Sequence, residues 1–273
     1  MVRSLWSAAT GMNAQQTNVD TIANNLANVN TVGYKSQVAQ FKSLLYQTLQ
    51  TATTSANGEA KPTSSQVGLG VRNSSIDSIF RQGSLLASES TTSFAIEGAG
   101  FFAVRGEDGN TYYTRNGDFT WATNGNSGMI LTDQDGRPVL NSRGAIITLP
   151  PSYVTSKVTI TGDGQVCYPD ADNNPQPING MAIGLYQFNN PGGLERQGNT
   201  LWAETEASGT VLNEATNRNV TRSKVVQGYL EGSGVQVADE MVNLIVAQRA
   251  YEMNSKAITT SDEMMQTANN LKR

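Results

Sequence analysis

Apolar residues near the start of the chain recur at a fixed spacing. Leu5, Met12, Val19 and Leu26 stand seven apart, and a second lane through Ala8, Gln15, Ile22 and Val29 runs three residues further on. This is the a/d pattern of a helix that packs on another helix, because seven residues make close to two turns and hold both lanes on one side. It predicts a helix from the N-terminus to about Val29, with Gly33 as a stop, roughly 40 Å long at the rise of an α-helix. The other end repeats the arrangement. Val237, Leu244, Tyr251, Ile258 and Met265 again fall at intervals of seven, and Met241, Ala247 and Ala268 widen the stripe. Ser233 and Gln236 have the spacing of a capping box, Asp239 and Glu240 suit the positive end of the helix dipole, and Lys272 and Arg273 suit the negative end. Neither stripe can be hidden by its own helix. An antiparallel pair with the middle of the chain looped out is the simplest solution. A two-helix core around an ordinary globular domain is the alternative, and the narrowness of the stripes favours the coiled-coil-like pairing.

Asn24, Asn25, Asn28 and Asn30 interrupt this picture. Asparagine is a poor residue for a helix interior because its amide competes for backbone hydrogen bonds. Either the amides find partners on another helix or subunit, or they fray and cap the helix end.

Between the ends the pattern changes. Residues 36–50, with Phe41, Leu44, Leu45, Tyr46 and Leu49, suit a helix or an extended segment equally. Residues 51–65 carry almost no large apolar side chain and read as a linker or an arm that orders only against a partner. From Val67 to about Val211 short apolar runs alternate with the turn pairs Asp108-Gly109, Asn116-Gly117, Asn124-Gly125, Asp135-Gly136, Asp163-Gly164 and Asn179-Gly180, the signature of an antiparallel β domain. Residues 212–232 lead back, through the run Val225–Leu230, to a last helix over 233–273. The expected fold is therefore α+β: long terminal helices over 1–33 and 233–273, a connecting segment with a polar arm over 34–66, and a β-rich domain over 67–211.

Composition narrows the function more than the fold. The 273 residues include no histidine and one cysteine, Cys167. That removes Ser-His-Asp and Cys-His catalysis, His-ligated metals, multi-thiolate zinc and an intrachain disulfide. The role of Cys167 stays open. A net charge of -4 without any Lys/Arg run argues against nucleic acid or an anionic membrane as partner. Charged residues are only 15% of the chain, which leaves a neutral polar surface suited to packing against many copies of itself. No stretch is long and apolar enough to span a membrane. Polar residues interrupt the N-terminus too early for a secretory signal, so any export is expected to need no cleavable signal. Two motifs resemble sites without completing them. Asp133-Gln134-Asp135-Gly136 lacks the closing glutamate of a calcium loop and reads as a hairpin turn, and Gly98-Ala99-Gly100 lacks the third glycine and the helix of a dinucleotide fingerprint.

Three segments carry a family resemblance. Ala23-Asn24-Asn25-Leu26-Ala27-Asn28 running into Asn30-Thr31-Val32-Gly33-Tyr34-Lys35 resembles the N-terminal signature of bacterial flagellar rod and hook proteins. Ala238-Asp239-Glu240-Met241-Val242-Asn243-Leu244 with Gln248-Arg249-Ala250-Tyr251-Glu252 is similar to their C-terminal signature. Ala95-Ile96-Glu97-Gly98-Ala99-Gly100-Phe101-Phe102 and Tyr113-Thr114-Arg115-Asn116-Gly117-Asp118-Phe119 are similar to their β-domain motif. Length, the segment Phe41–Thr48 and the segment Ala250–Lys256 are most like the distal rod members. The chain departs from the family's usual residues at Gly234 and at Ser93-Phe94.

The resemblance implies a structural subunit and no enzyme, with helices in an inner tube, the β domain outside, and the polar stretch near 46–65 as an insert that stiffens the rod. It implies an assembly interface made by Leu5, Met12, Val19, Ile22, Asn24, Asn25, Leu26, Asn28, Met241, Leu244, Tyr251, Ile258 and Met265. The partners it implies are copies of the chain itself, neighbouring rod proteins, the hook protein and the bushing rings around the rod. It calls for no cofactor, metal, nucleic acid or membrane insertion. A hook or proximal rod subunit, or a stalked surface binding module of a different class, are the alternatives.

Overall fold

The computed structural model describes residues 2–50, 65–125, 128–170, 174–217 and 219–271. It divides into two compact units. One comprises Met1–Ala27, Gln37–Ser78 and Gln236–Arg273; the other comprises Asn28–Ser36 and Ile79–Val235.

The first unit is built on two helices, α1 (Val2–Ala27) and α2 (Val237–Asn270). Ser4 meets Ser261 at 3.4 Å, Gly11 faces Asn254, and Asn25 donates to Glu240 at 2.9 Å. Each seven-residue step forward along α1 is matched by an equal step back along α2, so the helices run antiparallel. These contacts join small and polar residues. Ala8, Ala14, Thr21, Ile22 and Asn25 of α1 are buried in the unit, as are Ala247 and Ser261 of α2. Gly11 explains itself here. A mid-helix glycine costs roughly 1 kcal/mol against alanine, but a Cβ at this position would stand 2.9 Å from Asn254 Nδ2.

Two expectations for the helices change. α1 ends at Ala27, two residues short of Val29, where Thr31 N–H donates to Asn28 O and the chain turns. The capping box of Ser233 and Gln236 does not form. Gln236 is the N-cap residue without a side-chain cap, and the Ser233 hydroxyl instead accepts from Val235 N–H at 3.3 Å. Asp239 and Glu240 do lie in the first turn, whereas Lys272 and Arg273 fall outside the described residues.

The rest of this unit is extended. Residues 36–50, ambiguous by pattern, form the strands Gln37–Ser43 and Tyr46–Gln50. Gln37–Ser43 pairs antiparallel with Val71–Ser78, and Tyr46–Gln50 with Ser65–Gly68. A short apolar run has no preference of its own, and here a partner strand decides it. Residues 51–64 of the polar arm lie outside the described residues. Val71–Ser78, expected within the β domain, clusters with the helices.

The second unit is antiparallel β throughout its described strands. Its largest sheet has the order Glu195–Gly198, Leu201–Ala203, Thr111–Thr114, Phe101–Arg105, Leu185–Gln187, Leu212–Asn213. Two three-stranded sheets are inserted in sequence between Thr111–Thr114 and Leu185–Gln187, one from Thr120–Thr123, Met129–Thr132 and Thr148–Leu149, the other from Thr159–Ile160, Gln165–Pro169 and Pro175–Ala182. Phe101–Phe102–Ala103–Val104 is an unbroken apolar run because its strand is buried on both faces. Phe102 and Val104 enter one cluster with Phe94, Ile96, Phe119 and Leu131, while Phe101 and Ala103 enter another with Tyr113, Phe188 and Trp202. The two-residue side-chain period of a strand sends alternate residues to opposite faces. Aromatic rings interlock edge to face in both, at 5.2 Å for Phe102 and Phe119 and at 4.8 Å for Tyr113 and Phe188.

The turn glycines Gly109, Gly136 and Gly164 have positive φ, as a tight hairpin turn requires. Asp133 and Gly136 close such a turn, with Gly136 N–H donating to Asp133 O. Asn179-Gly180 is different from expectation: it lies inside the strand Pro175–Ala182, at an irregularity in the pairing with Gln165–Pro169. A positive-φ glycine serves a β-bulge as readily as a turn, so the dipeptide alone does not separate the two.

Candidate functional site: the terminal helices and a buried ion cluster

The residues singled out for assembly fall into three groups. Ile22 and Asn25 are buried within the helix unit, and Leu5, Met12, Val19, Leu26, Leu244, Ile258 and Met265 are half-buried there. Asn24, Met241 and Tyr251 are exposed. Asn28 is half-buried and belongs to the other unit, in the turn after α1, where its Oδ1 accepts from Thr31 Oγ1 at 3.1 Å.

Asn25 is tied on two sides. Its Nδ2 donates to Gln37 O at 2.8 Å and to Glu240 Oε1 at 2.9 Å, and its Oδ1 accepts from Gln37 N–H at 2.9 Å. One amide thus copies a strand's backbone pairing on one side and reaches the first turn of α2 on the other. Asn25→Ala should destabilise the helix unit by about 1–3 kcal/mol, the usual cost of leaving buried polar groups unpaired. Thermal melting followed through the helical signal reads it, and an unchanged melt would refute the role.

Helix α2 has a second apolar face that sequence spacing did not single out. Val242 is 59% exposed, Ile245 56%, Val246 61% and Met253 67%. At about 100° per residue they share one side of the helix with Met264, nearly opposite Leu244, Ala247, Ile258 and Ser261. An apolar stripe on both sides of one helix calls for a second partner. The signal was present in Val242-Asn243-Leu244-Ile245-Val246, but the seven-residue count assigned Leu244 alone.

The β unit holds an ion cluster that sequence reading missed. Glu231, fully buried, accepts from Lys35 Nζ at 2.6 Å through Oε1 and from Arg115 Nη1 at 3.2 Å through Oε2. Lys35 Nζ also donates to Arg81 O at 2.7 Å, Arg115 Nη2 to Gly98 O at 2.6 Å, and Gly83 N–H to Glu231 Oε1 at 2.8 Å. The Arg115 guanidinium lies over the Phe101 ring, 5.1 Å from its centroid. Burial lowers the Lys35 pKa, opposed by the charge of Glu231. Burial lowers Arg115 too, and Glu231 again opposes it. Gly33, at φ +69, lies so close to the backbone of Arg115 and Asn116 that a Cβ would stand 2.7 Å from Asn116 N. The available signal was a charged residue set in each of three glycine-rich or apolar runs, but nothing in the spacing says that the three meet.

Among the described residues no group of histidine, cysteine, aspartate and glutamate suits a metal ion, and no helix is long and apolar enough to cross a membrane. Comparison with known proteins agrees with the arrangement end by end. Residues 5–35 match the family described as flagella basal body rod protein, residues 95–168 the flagellar hook protein FlgE/F/G D1 domain, and residues 226–271 the flagellar basal body rod FlgEFG protein C-terminal. The flagellar basal-body rod protein FlgG of Borreliella burgdorferi is 43% identical, with all of both chains covered. The protein of the same name from Bacillus subtilis is 38% identical, again over 100% of both. The flagellar hook-basal body complex protein FlhP of Bacillus subtilis is 31% identical over the whole of each chain.

Proposed function

The chain belongs to the flagellar basal-body rod protein family, and from that premise we propose that it is a structural axial subunit of the distal rod, polymerising into a stiff hollow tube that carries torque to the hook. The observation that carries the proposal is the exposed stripe of Val242, Ile245, Val246 and Met253, which one chain leaves uncovered. In this reading α1 and α2 pair as a coiled coil. The pair forms the inner domain, and the β domain forms the outer layer. Leu5, Met12, Val19, Leu26, Leu244, Ile258 and Met265 form its seam, and Asn24, Met241 and Tyr251 face neighbouring copies. Other rod proteins, the hook protein and the rings around the rod are the further partners, in the basal body where the rod spans the periplasm. No catalytic residue is needed.

Isolated helices without tertiary partners are marginal. Purified chain at rising concentration should therefore form filaments visible by electron microscopy, with circular dichroism gaining helical signal as they form. A chain that stays monomeric at all concentrations, or whose helical signal is already complete in dilute monomer, would count against the tube. A monomer that binds immobilised glycan would favour the surface module instead.

A further inference from the structure

The chain passes between the two units after Ala27, Ser36, Ser78 and Val235. On the β side these crossings are received by three segments: 28–36, which carries two of them, and the stretches that begin at Ile79 and end at Val235. All three are fastened by the same few groups. Glu231 takes Lys35 from the first segment and the Gly83 amide from the second. Lys35 adds the Arg81 carbonyl of the second. Backbone bonds run beside them, with Gly33 N–H donating to Glu231 O at 2.8 Å, Ile79 N–H to Ser36 O at 2.8 Å, Gly232 N–H to Ser84 O at 2.8 Å and Gly234 N–H to Tyr34 O at 2.9 Å. Arg115 then holds the same carboxylate to the β-domain motif next to the large sheet. Gly234 is part of this bundle through its N–H bond to the Tyr34 carbonyl.

We propose that Glu231 is a positioning residue that clamps the crossing segments into one mechanical element, so that force on the terminal helices reaches the β unit through all of them together. The physical case is the choice of charges. An apolar contact can slide by an ångström at small cost, because dispersion has no direction. A buried carboxylate with two cations and an amide cannot slide, because displacement strands a charge in a low-dielectric interior. The mechanical meaning of the clamp rests on the rod reading above, whereas the clamp itself is tested on the free full-length chain.

Hydrogen exchange on Glu231→Gln and Lys35→Met decides it. Glutamine keeps the shape and one acceptor but removes the negative charge, and methionine keeps the length of the lysine stem. In both, the amides of Gly33, Gly83, Gly232 and Gly234 should exchange at least about 10-fold faster, while those of the Phe101–Arg105 strand keep their protection, as expected of local opening. Retained protection at those four glycines in either variant overturns the clamp. So does a uniform loss of protection across the β unit, since the trio would then serve core stability and not the crossings. Failure of the wild-type chain to polymerise would refute the rod reading and leave this result standing.

Discussion

Phe102→Ala lowers the stability of the β unit by about 3–5 kcal/mol, the range for removing a buried phenylalanine ring. The ring is 0% exposed and meets Phe119 edge to face at 5.2 Å. Its strand is covered on both sides, so the surrounding side chains cannot collapse into the space from one open face. Strand pairing with Thr111–Thr114 and Leu185–Gln187 also fixes the backbone on either side. The loss should lower the melting temperature by roughly 6–20 °C at the usual 2–4 °C per kcal/mol for a unit of this size. Val154→Ala, at a residue 53% exposed in the same unit, should stay within about 0.5 kcal/mol. Equal effects from the two substitutions would mean that the double-sided core is wrongly drawn.

Ile245→Asp abolishes assembly without disturbing the monomer. Ile245 is 56% exposed in the single chain, so a carboxylate there stays in water and the helix unit keeps its melt. In a filament the same carboxylate would be buried against a neighbour in every subunit. Burying an unpaired charge costs several kcal/mol, enough to raise the critical concentration at least about 100-fold at 1.4 kcal/mol per tenfold. Sedimentation of the polymer measures it. Leu244→Asp, one residue away, has a different signature. Leu244 is half-buried on the side of α2 that faces α1, so its substitution should lower the monomer's helical melt as well as block filaments. If Ile245→Asp polymerises like the wild type, the exposed stripe is not an assembly surface. If both variants melt alike, the two faces of α2 have been confused.

The terminal helices show what local sequence can settle. Spacing of seven located both, and their antiparallel contact follows from two amphipathic segments in one chain with nothing else long enough to cover them. The β-rich middle was equally legible, because Asp-Gly and Asn-Gly pairs between short apolar runs are local features of the chain. Other features were not local. Whether residues 36–50 became helix or strand depended on Val71–Ser78 and Ser65–Gly68 arriving alongside, and a short apolar run does not encode its neighbour. Asn179-Gly180 has one conformational preference that two different structures use.

The finer composition of each face was likewise a tertiary decision. The heptads marked the large residues Leu5, Met12, Val19 and Leu26, yet the deepest positions went to Ala8, Ala14, Thr21, Ile22 and Asn25. Burial there depends on what packs against each position, as Gly11 shows by leaving room for the Asn254 side chain. The ion cluster lies furthest beyond sequence reading. Lys35, Arg115 and Glu231 are separated by most of the chain. Each by itself looks like a surface charge, and only the fold removes the water that makes them need one another. Pattern along the chain therefore determined which segments are helices and which carry turns. Long-range packing decided which faces are closed and where charge is buried, because solvent exclusion is a property of the assembled core and of no single segment.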